Sequence, residues 1–201
     1  MKQIRTSITA IFLLFFGLNF SQLQAQDVSK QKFDLDVSAS YFRFTHDGKI
    51  LDNYLLHADI GLFYNLNHKF SVGAYYGKGR YKEIEFIWIE KNKHYRTGST
   101  EERSYADLFG ISGKIHLLPL LFGTERTRFD WYMIGKIGLI SLNSSNIENY
   151  VPVKGNFMDA SFMTGTSFYF SKSFGMFAEA GYKYFRYHKG FNANCGLTFR
   201  F

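Results

Sequence analysis

Eight stretches of this chain alternate apolar and polar side chains with a period of two. In a strand, that period sends successive side chains to opposite faces, so each stretch has one greasy and one polar face. After the N-terminal segment, nothing approaches the roughly 18 consecutive apolar residues of a membrane-crossing helix. If the chain enters a bilayer, only a closed barrel satisfies its backbone there, because hydrocarbon offers no hydrogen bonds to an open strand edge.

The first strand is expected over Phe33 to Phe44. Phe33, Leu35, Val37, Ala39 and Tyr41 share one face, and Asp34, Asp36, Ser38 and Ser40 the other. A second runs from about Tyr54 to Asn65, with His57, Asp59 and Gly61 on its polar side. The third starts at Phe70, and its parity puts Lys78, Arg80 and Lys82 on the face of Val72, Ala74 and Tyr76. The fourth, about Ser104 to Leu117, sets Ser112, Lys114 and His116 against Phe109, Ile111 and Ile115, with Asp107 on the apolar side against the pattern. The fifth, Arg128 to Ile140, sets Arg128, Asp130, Tyr132 and Lys136 against Phe129, Trp131, Met133, Ile137 and Leu139. The sixth spans about Phe157 to Phe170, with Asp159 and Gly165 on the polar side. The seventh spans Phe174 to Tyr187, with Glu179 and Lys183 there.

The last stretch, Phe191 to Phe201, alternates Phe191, Ala193, Cys195, Leu197, Phe199 and Phe201 against Asn192, Asn194, Gly196, Thr198 and Arg200. Ending on an aromatic of the apolar face, it resembles the closing strand of Gram-negative outer-membrane β-barrels. The architecture this implies is an eight-stranded antiparallel up-and-down transmembrane β-barrel with a filled polar interior, similar to the OmpX- and OmpW-type families. Connections after the second, fourth and sixth strands are compact. Those after the third and fifth, about Glu83 to Arg103 and 141–156, are longer, as expected of turns on the periplasmic side and loops outside. Residues Leu118 to Thr127 are read as a turn.

Alternation alone does not tell inside from outside, since a soluble lipocalin-like barrel would carry the opposite polarity. Two features favour lipid on the apolar side. Charges of both signs recur on the polar faces: Asp34, Asp36, His57, Asp59, Lys114, His116, Arg128, Asp130, Lys136, Glu179, Lys183 and Arg200. Aromatics cluster at the ends of the apolar faces, as interfacial girdles do. An eight-stranded barrel is just wide enough for side chains to fill it. The charges therefore read as a lumen network rather than as catalytic groups, and an open pore is not expected.

The N-terminus has a basic start, an apolar run from Ile8 to Phe16, and Ser21-Gln22-Leu23-Gln24-Ala25. This is the order of a secretory signal peptide cut near Ala25. Residues 26–201 then form one barrel domain. Loss of Lys2 and Arg5 lowers the formal charge from +7 to +5, which suits anionic lipid or polysaccharide and gives no reason to invoke nucleic acid. Cys195 has no partner for a disulfide.

Three surface or chemical readings follow. Lys78, Arg80 and Lys82 would emerge just beyond Tyr76, at the level of lipopolysaccharide phosphates. The excursion 83–103 contains Glu85-Phe86-Ile87-Trp88-Ile89-Glu90, whose Phe86 and Trp88 need a cover; it is expected to be a hairpin extending the barrel wall, or a partner-docking surface. No cofactor or metal is implied, and no catalytic residue is assigned. None of the six histidines begins the His-x-Ser pair of lipid A deacylases, and His46, Asp47 and Ser99 have no spacing that recommends them as an acyltransferase site. The expected role is structural, adhesive or partner-binding through the loops, in a monomer in the outer membrane. A lipid A-modifying enzyme and a narrow channel for small or hydrophobic solutes are the alternatives.

Overall fold

The computed structural model describes residues 31–45, 54–82, 84–87, 96–99, 105–124, 126–143, 154–185 and 188–201. The barrel strands are β1 (Phe33–Thr45), β2 (Tyr54–Asn65), β3 (Phe70–Lys82), β6 (Tyr105–His116), β7 (Phe129–Asn143), β8 (Lys154–Tyr169), β9 (Phe174–Phe185) and β10 (His188–Arg200). Two short strands, β4 (Ile84–Ile87) and β5 (Arg96–Ser99), lie between β3 and β6. The eight long strands close in the order β1-β10-β9-β8-β7-β6-β3-β2, and every neighbouring pair is antiparallel.

Closure is made by the chain ends. β1 and β10 pair from Asp34↔Arg200 to Thr45↔Lys189. Phe33 and Phe201 then exchange backbone hydrogen bonds of 2.8 and 2.9 Å, so the terminal aromatic is tied into the seam. Closure leaves no edge in the barrel sheet, which is what a bilayer demands.

The polarity of the wall is that of a membrane barrel. Trp131, Ile137 and Leu197 are 40%, 51% and 42% exposed, whereas Arg200 is 2% exposed. A soluble barrel would reverse these values. The outward charged residues among the described strand side chains are Arg43, Lys78, Arg80, Asp107 and Lys189, all toward the long-loop end. At the short-turn end, Phe33 lies between Tyr64 (5.3 Å) and Phe201 (5.9 Å), and Phe174 lies between Phe170 (5.8 Å) and Phe199 (5.3 Å). These contacts form part of the expected aromatic girdle.

Two of the short turns have plain local causes. Asn67 accepts hydrogen bonds from the backbone N–H groups of Lys69 and Phe70 at 2.8 and 2.9 Å, and Ser171 does the same for Ser173 and Phe174. Such side-chain turns let the strand reverse in a few residues.

The connection between β6 and β7 differs from the sequence reading. Leu117–Phe122 is a short helix, α1, rather than an irregular turn. Gly123 ends it in the left-handed conformation, φ 63°, and donates its N–H to Pro119 O at 3.0 Å. Pro119 interrupts a run of leucines and reads as a breaker in sequence, yet in the first turn of a helix its missing N–H costs nothing.

β7 and β8 also extend further than expected, pairing out to Asn143↔Lys154 inside the predicted loop. β4 and β5 do form a hairpin, but as a separate two-stranded sheet rather than as an extension of the barrel ladder.

Candidate functional site

Inward side chains fill the barrel in layers. Nearest the short turns, Asp34 accepts Arg200 Nε at 3.1 Å on one oxygen and Arg126 at 3.0 Å on the other. Arg126 also donates to Asn65 at 3.1 Å and to Ser71 at 2.9 Å. Ser71 Oγ lies 2.9 Å from His116 Nε2, and His116 Nδ1 lies 2.7 Å from Asp130.

One step further in, Lys114 pairs with Asp36 and sits over the ring of Phe63, 3.9 Å from its centroid. Arg200 lies over Tyr169, also at 3.9 Å. The middle layer is built on Glu179, which takes hydrogen bonds from Tyr132 (2.9 Å) and Asn194 (2.8 Å) and faces Lys136 at 3.9 Å. Above it, Lys183 pairs with Asp159 at 3.0 Å and Tyr75 donates to the same carboxylate at 3.1 Å. Asp59 accepts Ser40 at 2.8 Å and lies 3.3 Å from His57.

Toward the long loops the inward faces turn mainly apolar: Phe42, Leu55, Leu108, Ile140, Leu142 and Phe185 form one buried cluster with Tyr75 and Ala106, bordered by the buried Asn192 and by His188, whose ring lies 6.1 Å from that of Phe185. An aqueous channel would wet its lining, whereas Phe42, Leu55, Leu108, Ile140 and Phe185 are all 0% exposed. Below this seal a cavity of about 10 Å³ is lined by Asp34, Asp36, Lys114, His116, Asp130 and neighbours. That is room for about one water.

Of the lumen residues named from the sequence, Asp34, Asp36, His57, Asp59, Lys114, His116, Asp130, Glu179, Lys183 and Arg200 are buried, and Lys136 lies beside Glu179. One charged residue was misplaced. Arg128 precedes the strand and is exposed, while Arg126, expected in a turn, is 3% exposed and anchors the lowest layer. Asp159 joins the network as the carboxylate of Lys183. Six carboxylates (Asp34, Asp36, Asp59, Asp130, Asp159, Glu179) thus meet five permanent cations (Lys114, Arg126, Lys136, Lys183, Arg200) among the described residues. Buried charges need such partners, since an unpaired ion costs several kcal/mol.

Room for the large inward side chains comes from glycines. A Cβ on Gly165 would sit 2.9 Å from the Tyr132 ring, and one on Gly138 would sit 2.7 Å from Tyr75 Oη.

Ser71, His116 and Asp130 have the atom order of a nucleophile, a base and its orienting carboxylate. Their surroundings do not suit that chemistry. Ser71 is 1% exposed, its hydroxyl is 2.6 Å from Asn65 Oδ1, and Arg126 occupies its remaining side. A hydroxyl with one proton and two lone pairs is fully used by these contacts, and a carbonyl could reach it only by displacing Arg126.

On the outer wall, Lys78 and Arg80 are exposed, as parity requires. The ladder is unbroken through Lys78↔Asp107, Gly79↔Ala106 and Arg80↔Tyr105, so no bulge reverses their direction. The apparent blemish at Asp107 has a partner set: Tyr76 donates to it at 2.9 Å and Lys78 Nζ lies 4.0 Å away. Lys82 closes β3 opposite Tyr54, and its side chain lies outside the described residues. Phe86 is in β4 opposite Thr97, and Trp88 falls outside the described residues.

No family model matches the chain, and no curated protein matches it. Solved structures share its architecture. Neisserial surface protein A superposes with a TM-score of 0.58 at 12% identity, covering 84% of this chain and 97% of that one. The N-terminal β-barrel domain of Pseudomonas aeruginosa OprF gives 0.53 at 17%, covering 86% and 100%. Ail, the attachment invasion locus protein of Yersinia pestis, in complex with the heparin analogue sucrose octasulfate, gives 0.51 at 13%, covering 85% and 97%. At these identities the likeness is one of fold: this chain has the fold of the small eight-stranded outer-membrane barrels.

Proposed function

We propose that this chain is a small outer-membrane barrel of a Gram-negative envelope, exported with loss of a signal peptide near Ala25. Its role is structural, adhesive or partner-binding and is carried at its long-loop end. The observation that carries this reading is the sealed interior. With Phe42, Leu55, Leu108, Ile140 and Phe185 dry above an ion-paired plug, the described residues leave no wetted route through the barrel and no free space around Ser71. What remains for recognition is the outer surface and the loops, where Phe86 and Trp88 of the excursion 83–103 are candidate partner contacts. The named neighbours support a surface role by analogy, one being an attachment invasion locus protein.

A second reading concerns lipid. Lys78 and Arg80 point outward from β3 beside Tyr76, where phosphorylated lipid headgroups would lie, and Lys82 extends the row. In this reading the three cations hold lipopolysaccharide phosphates by charge-assisted hydrogen bonds.

Planar-bilayer recording on the purified barrel separates scaffold from channel, with no unitary conductance expected; steady single-channel steps would refute the sealed scaffold. Deletion of 84–96 should abolish adhesion or partner capture while the barrel still folds. Unchanged lipid A mass on expression is expected, and an altered mass would favour the enzyme.

A further inference from the structure

The helix α1 has no place in the sealed-barrel reading. Its sequence, Leu117-Leu118-Pro119-Leu120-Leu121-Phe122, is apolar at every position, with no charge in its first or last turn. Leu121 and Phe122 are 63% and 70% exposed. A surface helix in water carries a polar face, and one of six residues has little stability of its own. The turns at 67–69 and 171–173, at the same end of the barrel, are polar, Asn-His-Lys and Ser-Lys-Ser, as solvent would require.

The neighbourhood points to what covers it. α1 leaves directly from β6 and lies against β7. Around the short-turn rim the outward aromatic belt runs through Tyr64, Phe33 and Phe201, then Phe199, Phe174 and Phe170. On β6 the outward residue nearest that rim is Ile115, which is no aromatic. The helix thus starts where the belt lacks an interfacial ring, and it carries an exposed aromatic, Phe122, into that sector. Arg128, exposed just beyond, stands where a cation would meet headgroup phosphates.

We propose that α1 is an interfacial anchor, bedded in the lipid leaflet at the short-turn end of the barrel, and that it completes the membrane belt over the β6 sector. The site is a surface for phospholipid rather than for protein. Its apolar residues follow directly on β6, in the sector without a belt aromatic, and the helix fixes the depth of that side of the barrel.

The test uses the full chain in phosphatidylcholine vesicles containing nitroxide-labelled lipid, with Cys195→Ala as background. Single cysteines at Leu121 (Leu121→Cys) and, as the polar-turn control, at Ser173 (Ser173→Cys) carry an environment-sensitive fluorophore. Folding of each is checked by the electrophoretic shift of the heat-untreated barrel. The label at 121 should be quenched several-fold more by lipid nitroxide near the headgroups than the label at 173, and several-fold less by aqueous iodide. Equal iodide quenching at both sites would overturn the anchor, because the helix would then lie in water. Disulfide-linked dimers of the unlabelled Leu121→Cys protein would also overturn it, in favour of a second copy as the occupant. Phe122→Cys repeats the measurement if Leu121→Cys fails to fold.

Discussion

Asp34 and Arg200 face each other across the seam where the first and last barrel strands meet, with Arg200 Nε 3.1 Å from Asp34 Oδ1. The same carboxylate holds Arg126, so one group neutralises two guanidiniums. Asp34→Ala therefore leaves Arg200 without its carboxylate partner and Arg126 with only the longer Asp130 contact at 3.9 Å, in a buried site, and should cost about 3–5 kcal/mol in denaturant unfolding of the lipid-reconstituted barrel. Arg200→Met should cost less, because Arg126 still serves Asp34. A double-mutant cycle should return a coupling of about 1–3 kcal/mol, and strict additivity would remove the pair from the account of closure.

Arg126 and Arg128 make a sharper contrast, since sequence parity assigned the wrong one to the lumen. Arg126 is bonded to Asp34, Asn65 and Ser71, whereas Arg128 is exposed. Arg126→Ala should destabilise by about 3–5 kcal/mol, and Arg128→Ala should stay within about 0.5 kcal/mol. Hydrogen exchange at the short-turn ends of β1 and β3 should accelerate only in the first variant.

That contrast shows what the sequence could and could not disclose. Strand parity sorts residues whose direction is fixed by the pleat, and it placed Asp36, Lys114, Glu179, Lys183 and Arg200 inside together. Arg126 lies outside any strand, so no period governs it, and its long side chain reaches back into the lumen from a turn. The helix is hidden for a related reason: Pro119 reads as a breaker, and an all-apolar run has no helical stripe to detect. The apolar seal was legible in principle, because Phe42, Leu55, Leu108 and Ile140 occupy inward parity. What parity lacks is depth along the axis, and only the pairing register supplies it. Asp107 shows the same limit from outside, as its cross-strand partner Lys78 is visible only once β3 and β6 are aligned.

Two glycines of β7 should behave oppositely. A Cβ on Gly138 would lie 2.2 Å from Phe109 O and 2.7 Å from Tyr75 Oη, while a Cβ on Gly135 meets nothing within 4 Å. Gly138→Ala should therefore cost about 1–3 kcal/mol through overpacking. Gly135→Ala should be neutral or stabilising by about 0.4–1 kcal/mol through the unfolded chain. Urea titration of both variants in the same lipid decides this, and a destabilising Gly135→Ala would show that the outward wall is tighter than described.

Ser71 tests whether the Ser71–His116–Asp130 chain is a fastener or a reactive centre. Ser71→Ala leaves donors of Arg126 and a nitrogen of His116 without their partner, at a cost of about 1–3 kcal/mol. A fluorophosphonate probe should leave the folded wild-type protein unlabelled, because the hydroxyl is enclosed and occupied. Labelling that disappears in Ser71→Ala, in protein that is otherwise folded, would reopen the hydrolase reading.

The outward ion pair offers a test of the lipid reading that does not depend on stability. Lys78 Nζ stands 4.0 Å from Asp107 Oδ1, with the two side chains 64% and 40% exposed, so the pair contributes at most about 1 kcal/mol and less in salt. Asp107→Asn keeps an acceptor for the Tyr76 hydroxyl and frees the lysine's charge. If Lys78 and Arg80 hold lipid phosphates, an anionic carboxylate beside them weakens that hold. Retention of lipopolysaccharide through purification should then rank Asp107→Asn above wild type, and wild type above Lys78→Gln/Arg80→Gln. Raising the salt should narrow the spread, because the outward charges are screened. Equal retention in all three proteins would reduce the basic edge to a solvated rim, while the sealed barrel and its loops would stand unchanged.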